Sequence, residues 1–168
     1  MNGADSVRIR TAVDADLQFL HRMLYEAANR PGDEWPPFDE SINESRSRRI
    51  WSRWRRPGDI GCIAEADVDP VGAAWLRALE LAERFPVDHD DTVVLAIGIE
   101  GPYRGQGIGH RLLAHLIEQA RAEGVRAIQL ISGLFTEPAV RLYRRHGFVE
   151  MMRRGDGVHM CLELRVGA

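Results

Sequence analysis

The chain contains only two cysteines among its 168 residues, Cys62 and Cys161. Both lie in runs of apolar, strand-forming residues, where a thiol typically acts as a small buried hydrophobic group. A secreted domain that depends on disulfides carries cysteine at a much higher density. We therefore predict two buried, free thiols.

Long hydrophobic runs are absent as well. No apolar stretch approaches the ~18 residues that a membrane-spanning helix needs. The first residues also lack the charged and then apolar pattern of a secretory leader. These two absences favour a cytoplasmic protein with no membrane partner.

Charge of one sign is not in large excess, because the formal net charge is only -3. The overall field therefore gives no reason to expect nucleic acid as a partner. One local exception is a predicted helix over Glu40–Arg56, which carries six arginines around Trp51 and Trp54. A basic helix of this kind could bind nucleic acid. The net negative chain favours the alternative, a solvated face on which arginine stems cover the tryptophans.

What is present is an ordinary globular composition, with 45% hydrophobic and 28% charged residues. A chain of this length suits one domain with a full core. We predict that domain over residues 7–166 and a disordered N-terminus over residues 1–6.

The pattern of apolar residues predicts a single mixed sheet. Strands are predicted at 7–10, 60–66, 71–79, 93–99, 127–131, 148–152 and 158–164. Thr11–Asp14 matches a helix-capping box, and Asp67–Pro70 is predicted as a hairpin turn. A strand, a helix and a strand between 93 and 131 imply a parallel pair. The prediction is a mixed α/β fold that is antiparallel at both ends and parallel at its centre.

Two polar stretches interrupt this pattern. Residues 29–39 hold three prolines, two aromatics and three acids, which indicates either a functional loop or a surface connection. Residues 80–91 are acidic around His89. Adjacent acids without a second histidine at ligand spacing do not indicate a metal site, so we predict none.

The most informative stretch runs from Val93 to Gly124 and is predicted as a strand, a glycine-rich turn and a helix. Gly105, Gly107 and Gly109 occupy alternate positions of the turn. A glycine turn that leads into a helix presents unpaired N–H groups and the positive end of the helix dipole. This arrangement predicts an anion site, most naturally for phosphate.

Two common phosphate-binding patterns do not fit this turn. His110 stands where a dinucleotide-binding pattern requires a third glycine, and no acid follows about 20 residues later to bind a ribose. The chain also has no Gly-Lys-Ser/Thr triplet of a triphosphate-binding loop. An alternative without any ligand remains, in which the glycines only allow tight packing of the helix on the strand.

The sequence resembles the GNAT superfamily of acyl-CoA-dependent N-acyltransferases at two separated motifs. The first, Arg/Gln-x-x-Gly-x-Gly/Ala, is present as RGQGIG from Arg104 to Gly109. The second, a late helix with Leu-Tyr and then Gly-Phe, is present as LYRRHGF from Leu142 to Phe148. The order of elements agrees over nearly the whole chain. The resemblance implies one mixed sheet of about six or seven strands, with helices on both faces and a splay between the two central parallel strands.

The resemblance also implies acetyl-CoA as co-substrate. The family's loop holds the pyrophosphate of coenzyme A, and its central strand pairs with the pantetheine arm. The cofactor-binding residues implied here are Ile97, Gly98, Ile99, Arg104, Gly105, Gln106, Gly107, Ile108, Gly109, Thr136 and Tyr143. Many members have asparagine where this chain has Thr136, so a hydroxyl would replace one contact to the pantetheine.

Three catalytic roles follow from the same resemblance. Tyr143 matches the general acid that protonates the departing thiolate, and the N–H of Ile99 would polarise the thioester carbonyl. Many members carry a glutamate base in the central strand, where this chain has Val94. The candidates for the base are Glu34, Glu65, Glu80, His89 and Glu100. Glu34 is our choice because its loop should border the acceptor cleft, and a chain of waters is an equal alternative.

The implied activity is transfer of an acetyl group to a primary amine, by direct attack through a tetrahedral intermediate. A small-molecule amine is our first prediction, because the acidic stretches over 33–38 and 80–91 would attract a cation. A peptide N-terminus or a lysine is the second. An acyl-CoA-binding module without catalysis is the alternative from another class. Homodimers are common in the family, and nothing in the sequence specifies an interface.

Overall fold

The computed structural model describes residues 6–28, 37–41, 52–78, 92–132, 137–154 and 157–164. Within these ranges the chain forms seven strands, four α-helices and two short 3-10 turns. The strands are β1 (Val7–Thr11), β2 (Ile60–Ala66), β3 (Asp69–Ala78), β4 (Thr92–Ile99), β5 (Ala127–Ser132), β6 (Val149–Arg154) and β7 (Gly157–Glu163). The helices are α1 (Leu17–Ala28), α2 (Phe38–Ser41), α3 (Ile108–Ala122) and α4 (Glu137–Arg145), and the 3-10 turns are Asp14–Asp16 and Gly101–Tyr103.

The strands form one sheet in the order β1-β2-β3-β4-β5-β7-β6. Only β4 and β5 run parallel among these neighbours, and every other adjacent pair is antiparallel. A parallel pair needs a crossover connection, and α3 supplies it between β4 and β5. The predicted mixed sheet, with its parallel centre and closing hairpin, is confirmed.

The two faces of the sheet are covered by different helices. α3 and α4 pack on one face over the larger core, in which Leu112, Leu116 and Val140 are fully buried. α1 packs on the other face, where Leu20 and Met23 meet a smaller core. Because side chains alternate between faces along a strand, each central strand must be apolar at successive positions. This explains the continuous apolar run of β4.

The turn between β2 and β3 is tighter than predicted. Asp67 adopts a left-handed conformation with φ 58°, which aspartate tolerates better than most residues. β3 therefore begins at Asp69, before the predicted turn ends. Pro70 pairs with Glu65 beside an irregularity in the ladder, a place where a residue without an N–H is tolerated.

The capping box predicted at Thr11–Asp14 is wrong, because Thr11 is the last residue of β1. The carboxylate of Asp16 instead accepts the N–H of Val13 at 2.7 Å. Arg10 binds the same carboxylate through two guanidinium nitrogens. The N-cap is therefore Val13, and the acid that accepts its N–H is Asp16, which Arg10 at the end of β1 holds in place.

The helix predicted over Glu40–Arg56 is wrong at its described end. Ser52–Arg56 forms turns, and Arg53 and Arg55 have φ values of 52° and 68°. Left-handed residues cannot continue a right-handed helix. Residues 42–51, which carry three of the six arginines of the predicted basic face, lie outside the described part of the chain.

Both cysteines are free and buried, as predicted. Burial raises the pKa of the Cys62 thiol to about 12, so this thiol is a poor nucleophile near neutral pH. No helix in the described ranges is long and apolar enough to cross a bilayer. The N-terminal segment predicted to be disordered lies, apart from Ser6, outside the described residues.

Candidate active site

The two parallel strands at the centre of the sheet part along their length. β4 and β5 pair at only three positions, and the last of these joins Val94 to Gln129. β4 continues to Ile99 and β5 to Ser132 with no further pairing between their described residues. A gap therefore opens towards the C-terminal ends of the strands, where open α/β sheets commonly bind ligands. The predicted splay is confirmed.

The backbone of β4 presents donors to this gap. The N–H of Glu100 points towards β3, because it donates to the carbonyl of Val71 at 3.0 Å. Successive N–H groups of an extended strand point to opposite edges, so those of Ile97 and Ile99 point away from β3. The N–H groups of Ile97 and Ile99 therefore face the gap, on the edge of β4 that is predicted to hold the pantetheine arm. Gly98 lies between these two residues.

A tight loop follows β4 and leads into α3. Gly105 and Gly107 have φ values of 74° and 80°, in the left-handed region that favours glycine. α3 begins at Ile108 with Gly107 as its N-cap. The first turn of a helix leaves N–H groups without intrahelical partners, and the dipole adds partial positive charge. The loop therefore ends in backbone donors at the place where the sequence predicts an anion site.

The third glycine of the motif has a different function. A Cβ on Gly109 would lie 3.1 Å from Cδ1 of Ile99 and 3.2 Å from Cδ2 of Leu142. Gly109 thus allows α3 to approach both β4 and α4 closely. The two interpretations left open by the sequence apply to different glycines, since Gly105 and Gly107 shape the loop and Gly109 permits packing.

Tyr143 lies on α4, on the same face of the sheet as α3. Its ring packs against Phe148 with centroids 5.7 Å apart, and it borders the larger core. Burial raises the pKa of Tyr143 to about 12. The hydroxyl therefore stays protonated over the whole neutral range and is able to donate a proton.

A pair of histidines joins the loop side to the tyrosine side of the site. Nε2 of His146, just after α4, lies 2.9 Å from Nδ1 of His110 in the first turn of α3. Desolvation and, next, the neighbouring His110 lower the pKa of His146. The hydrogen bond holds the end of α4 beside the start of α3, and so fixes the helix of Tyr143 relative to the anion site.

The polar side chains of the loop bind protein atoms. Nε of Arg104 donates to the carbonyl of Ile99 at 2.9 Å, and its Nη2 contacts Glu26 on α1. Nε2 of Gln106 donates to the carbonyl of Pro102 at 2.9 Å. Both side chains stabilise the loop, so an anion at this place would meet mainly backbone N–H groups.

A buried polar pair beside the gap was not predicted from the sequence. Nε2 of His159 on β7 lies 2.8 Å from Oε1 of Gln129 on β5. Burial lowers the pKa of His159, which keeps the ring neutral. Gln129 is opposite Val94, at the last paired position before the strands part. The sequence offered one signal for this pair, because Gln129 in β5 and His159 in β7 are each a single polar residue inside an apolar run.

Two of the five candidates for the catalytic base, Glu65 and Glu100, lie in the described part of the chain. Glu65 on β2 is bound by Arg10 and Arg8, and these bonds hold the pKa of its carboxyl below its usual range. Glu65 is therefore poorly suited to accept a proton. Glu100 is paired with Arg22 of α1 at 2.5 Å. The remaining candidates, Glu34, Glu80 and His89, and the cofactor candidate Thr136 lie outside the described residues.

The described side chains form no candidate metal site. No three His, Cys, Asp or Glu groups in those ranges lie together in a way that could hold an ion. The described part of the candidate site consists of backbone N–H groups, the hydroxyl of Tyr143 and the neutral pair of His159 and Gln129.

Comparison with known proteins places these features in a family. The model of the Acetyltransferase (GNAT) family matches residues 24–148, which include both motifs. An uncharacterized N-acetyltransferase of Methanocaldococcus jannaschii is 29% identical over 114 residues, covering 61% of this chain and 47% of that protein. The chain thus aligns with about half the length of this relative.

Two further proteins are similar over most of their length. An L-methionine sulfoximine/L-methionine sulfone acetyltransferase of Pseudomonas aeruginosa is 28% identical, over 85% of this chain and 80% of that protein. A phosphinothricin acetyltransferase of Sinorhizobium meliloti, solved in complex with acetyl-CoA, superimposes with a TM-score of 0.69. It is 22% identical and covers 95% of this chain and 89% of its own, so it supports the fold alone.

Proposed function

The chain belongs to the GNAT family of acetyltransferases, and we propose that it transfers an acetyl group from acetyl-CoA to the primary amine of a small molecule. The observation that carries this proposal is the gap between β4 and β5, which opens at the end of β4 that leads into the glycine loop. We further propose one catalytic domain over residues 7–166, located in the cytoplasm. A homodimer is compatible with this proposal.

The loop fits the pyrophosphate of coenzyme A. A Cβ placed on Gly105 or Gly107 would meet no other heavy atom within 4 Å, so the space beside the loop is open. The backbone N–H groups from Gly105 to Gly109, with the α3 dipole behind them, would hold the two phosphates. The bound coenzyme supplies an acyl group activated as a thioester.

The strand would position the thioester. In our proposal the N–H groups of Ile97 and Ile99 face the pantetheine arm, and that of Ile99 donates to the thioester carbonyl. A fixed donor at this oxygen stabilises the negative charge that develops there, which is typically a large catalytic contribution. Because the donor is backbone, only a substitution by proline, which has no N–H, would remove it.

Tyr143 would protonate the departing thiolate. An ordinary phenol, with a pKa of about 10, lies close to an ordinary thiol, with a pKa of about 8.5. Burial raises the pKa of Tyr143 to about 12. The thiolate forms in the same poorly hydrated gap, where desolvation raises its pKa as well. The two groups therefore remain close enough in pKa for proton transfer during bond cleavage.

The amine would enter from the face of the sheet that carries α1, because the phosphates occupy the face that carries α3. We retain Glu34 as the proposed base, with a chain of waters as the alternative. A small amino-acid-like acceptor is supported by the Pseudomonas relative, whose name specifies amino acid derivatives. A peptide N-terminus remains the alternative acceptor, and the experiment below separates the two.

The test is release of free thiol from acetyl-CoA in the presence of a panel of amines. The panel contains L-methionine sulfone, other amino acids and short peptides with free N-termini. The chain has no lysine, so thiol released without added amine cannot come from acetylation of its own lysines. We expect release with at least one small amine and little with the peptides.

Two variants assign the role of the tyrosine. Tyr143→Phe should lower the rate of thiol release by at least about tenfold, because general acid catalysis is typically worth that much or more. Tyr103→Phe removes the same hydroxyl from a residue with no assigned role and should change the rate less than about twofold.

Each contrary result has a definite meaning. A protein that binds coenzyme A in calorimetry but releases no thiol with any amine would be a binding module, and the proposed activity would be wrong. A protein that does not bind coenzyme A would show that the glycine loop serves packing alone. Release with peptides only would replace the small-molecule acceptor by a peptide.

A further inference from the structure

Arg104 joins the cofactor loop to the helix on the opposite face of the sheet. Its Nε donates to the carbonyl of Ile99 at the end of β4, at 2.9 Å. Its Nη2 lies 3.0 Å from the backbone carbonyl of Glu26 and 3.0 Å from the carboxylate of the same residue. One guanidinium therefore binds the last residue of β4 and the last turn of α1.

The backbone of α1 lies directly on β4 next to this contact. A Cβ on Gly98 would be 2.1 Å from the carbonyl oxygen of Met23, so only glycine permits the approach. Glu26 follows Met23 by three residues and therefore lies about one turn further along the same helix face. Backbone contact at Met23 and the guanidinium at Glu26 together fix the end of α1 against β4.

A second ion pair spans the same two elements. Arg22 of α1 binds Glu100, the residue directly after β4, at 2.5 Å. Both partners are partly exposed, with the side chain of Arg22 52% accessible, so the pair contributes little by itself. Arg104 and Glu26 are also partly exposed, with side chains 42% and 33% accessible. Arg104 differs because it makes three contacts, two of which are to backbone carbonyls that cannot move independently of their elements.

We propose that Arg104 is a positioning residue that holds the last turn of α1 on β4, and not a ligand of the coenzyme A phosphates. The inference rests on the proposed function in one respect, that the amine enters from the face of α1. On this view the loop binds phosphate through its backbone, while its arginine sets the wall of the amine site.

The chemistry of the guanidinium supports this assignment. Its planar array of donors reaches carbonyl and carboxylate oxygens in different directions at once. A lysine ammonium on a flexible stem matches this geometry poorly. The conservative variant Arg104→Lys should therefore restore part of the function that Arg104→Gln removes.

The experiment compares Arg104→Gln and Arg104→Lys with Arg121→Gln as the matched control. Arg121 lies at the far end of α3 and is paired with the exposed Glu118, so its substitution gives the same change of charge at a remote place. Three quantities are measured: the Kd of coenzyme A by calorimetry, amide hydrogen exchange over Met23–Ala28, and the KM and kcat of the amine.

For Arg104→Gln we expect faster exchange over Met23–Ala28 by about tenfold, because a charge-assisted contact to the last turn is lost. The KM of the amine should rise by about tenfold, while kcat and the Kd of coenzyme A change less than roughly threefold. Arg104→Lys should fall between wild type and Arg104→Gln in exchange and KM. Glu26→Gln should raise KM less, since the backbone contact remains.

The contrary outcomes are distinct. Unchanged exchange in Arg104→Gln would overturn the proposal, and so would a Kd of coenzyme A weakened by about tenfold or more with unchanged amine KM, the behaviour of a phosphate ligand. If wild type acetylates no amine, the proposed function fails, and exchange and calorimetry still decide the role of Arg104. General loss of folding in Arg104→Gln leaves Arg104→Lys to decide it by the same measurements.

Discussion

Arg77 and Asp59 form an ion pair from which water is excluded, since each side chain is only 1% exposed. Nη2 and Nε of the arginine bind the two carboxylate oxygens at 2.7 and 3.2 Å, and Nη1 donates to the carbonyl of Ser52. The guanidinium also lies 5.9 Å from the centre of the Trp54 ring. The pair secures the turn that precedes β2 to the end of β3.

Removing one partner should cost far more than removing both. Asp59→Ala leaves a buried guanidinium without its carboxylate, and we expect the free energy of unfolding to fall by about 3 to 5 kcal/mol. The double variant Asp59→Leu with Arg77→Met should recover a substantial part of this loss. Urea denaturation measures both changes.

Glu118→Ala is the control for this prediction, because it removes an exposed partner of Arg121. Its effect should be smaller than about 0.5 kcal/mol. A loss below about 1 kcal/mol for Asp59→Ala would mean that water reaches the guanidinium and that the pair is not sealed as the structure shows.

Single residues also show where local information is sufficient. The left-handed φ angles of Gly105 and Gly107 are properties of the chain at those positions, and the motif indicates them directly. The burial of Arg77 is not local, because its carboxylate partner is 18 residues away. An arginine in a strand-like run gives no sign that it will be buried.

At the scale of elements, the contact between α1 and β4 determines the geometry of the site. The two elements meet at Gly98, whose missing side chain makes room for the carbonyl of Met23. The sequence predicts Gly98 as a site residue through its place in the strand. The structure adds that it also lets a helix backbone approach the strand.

Gly98→Ala should therefore displace α1. The added methyl group would lie 2.1 Å from a backbone oxygen, and we expect a loss of about 1 to 3 kcal/mol in the free energy of unfolding, typical of overpacking. The KM of the amine should rise as well, because α1 borders the proposed amine site. Thermal or urea unfolding and amine kinetics check the two expectations.

Gly101→Ala is the matched control for the same substitution. A Cβ there meets no heavy atom within 4 Å, so the change should be within about 0.5 kcal/mol of wild type. Equal free energies of unfolding for the two variants would contradict the prediction, because they would show that α1 can move away from Gly98 without loss of stability.

At the scale of the whole molecule, one ionic cluster connects β1, β2 and the 3-10 turn Asp14–Asp16 at the N-terminal edge of the sheet. Arg10 of β1 binds Asp16 in the 3-10 turn and Glu65 of β2. Arg10 is the main cause of the lowered pKa of both carboxyls, with Arg8 assisting at Glu65. Since the folded-state pKa values are depressed, the cluster stabilises the fold above the ordinary carboxyl pKa, near 4, and loses this effect as pH falls.

Acid should therefore erase the contribution of Arg10. At pH 7 we expect Arg10→Gln to lower the midpoint of urea unfolding, because both carboxylates are charged. As pH falls well below the ordinary carboxyl pKa of about 4, protonation of Asp16 and Glu65 removes the attraction, and the midpoints of wild type and variant should converge. A difference that stays constant over this range would show that Arg10 acts through packing of its stem.

The sequence by itself determined what depends on neighbouring residues. Strand periodicity, the glycine turn, the start of α3 and the element order all follow from short-range sterics and apolar alternation, and the order in turn predicted the mixed sheet. The helix predicted through Arg56 failed locally, because the left-handed conformations of Arg53 and Arg55 are not encoded by residue type in the way that glycine encodes them.

Only the tertiary structure decided which distant polar groups meet. Arg104 reaches Glu26 across 78 residues of sequence, and His159 reaches Gln129 across 30. Such partners are brought together by the packing of α1 on β4 and by the pairing of β5 with β7. The motif therefore indicated that Arg104 belongs to the site, while the fold directed its side chain towards α1.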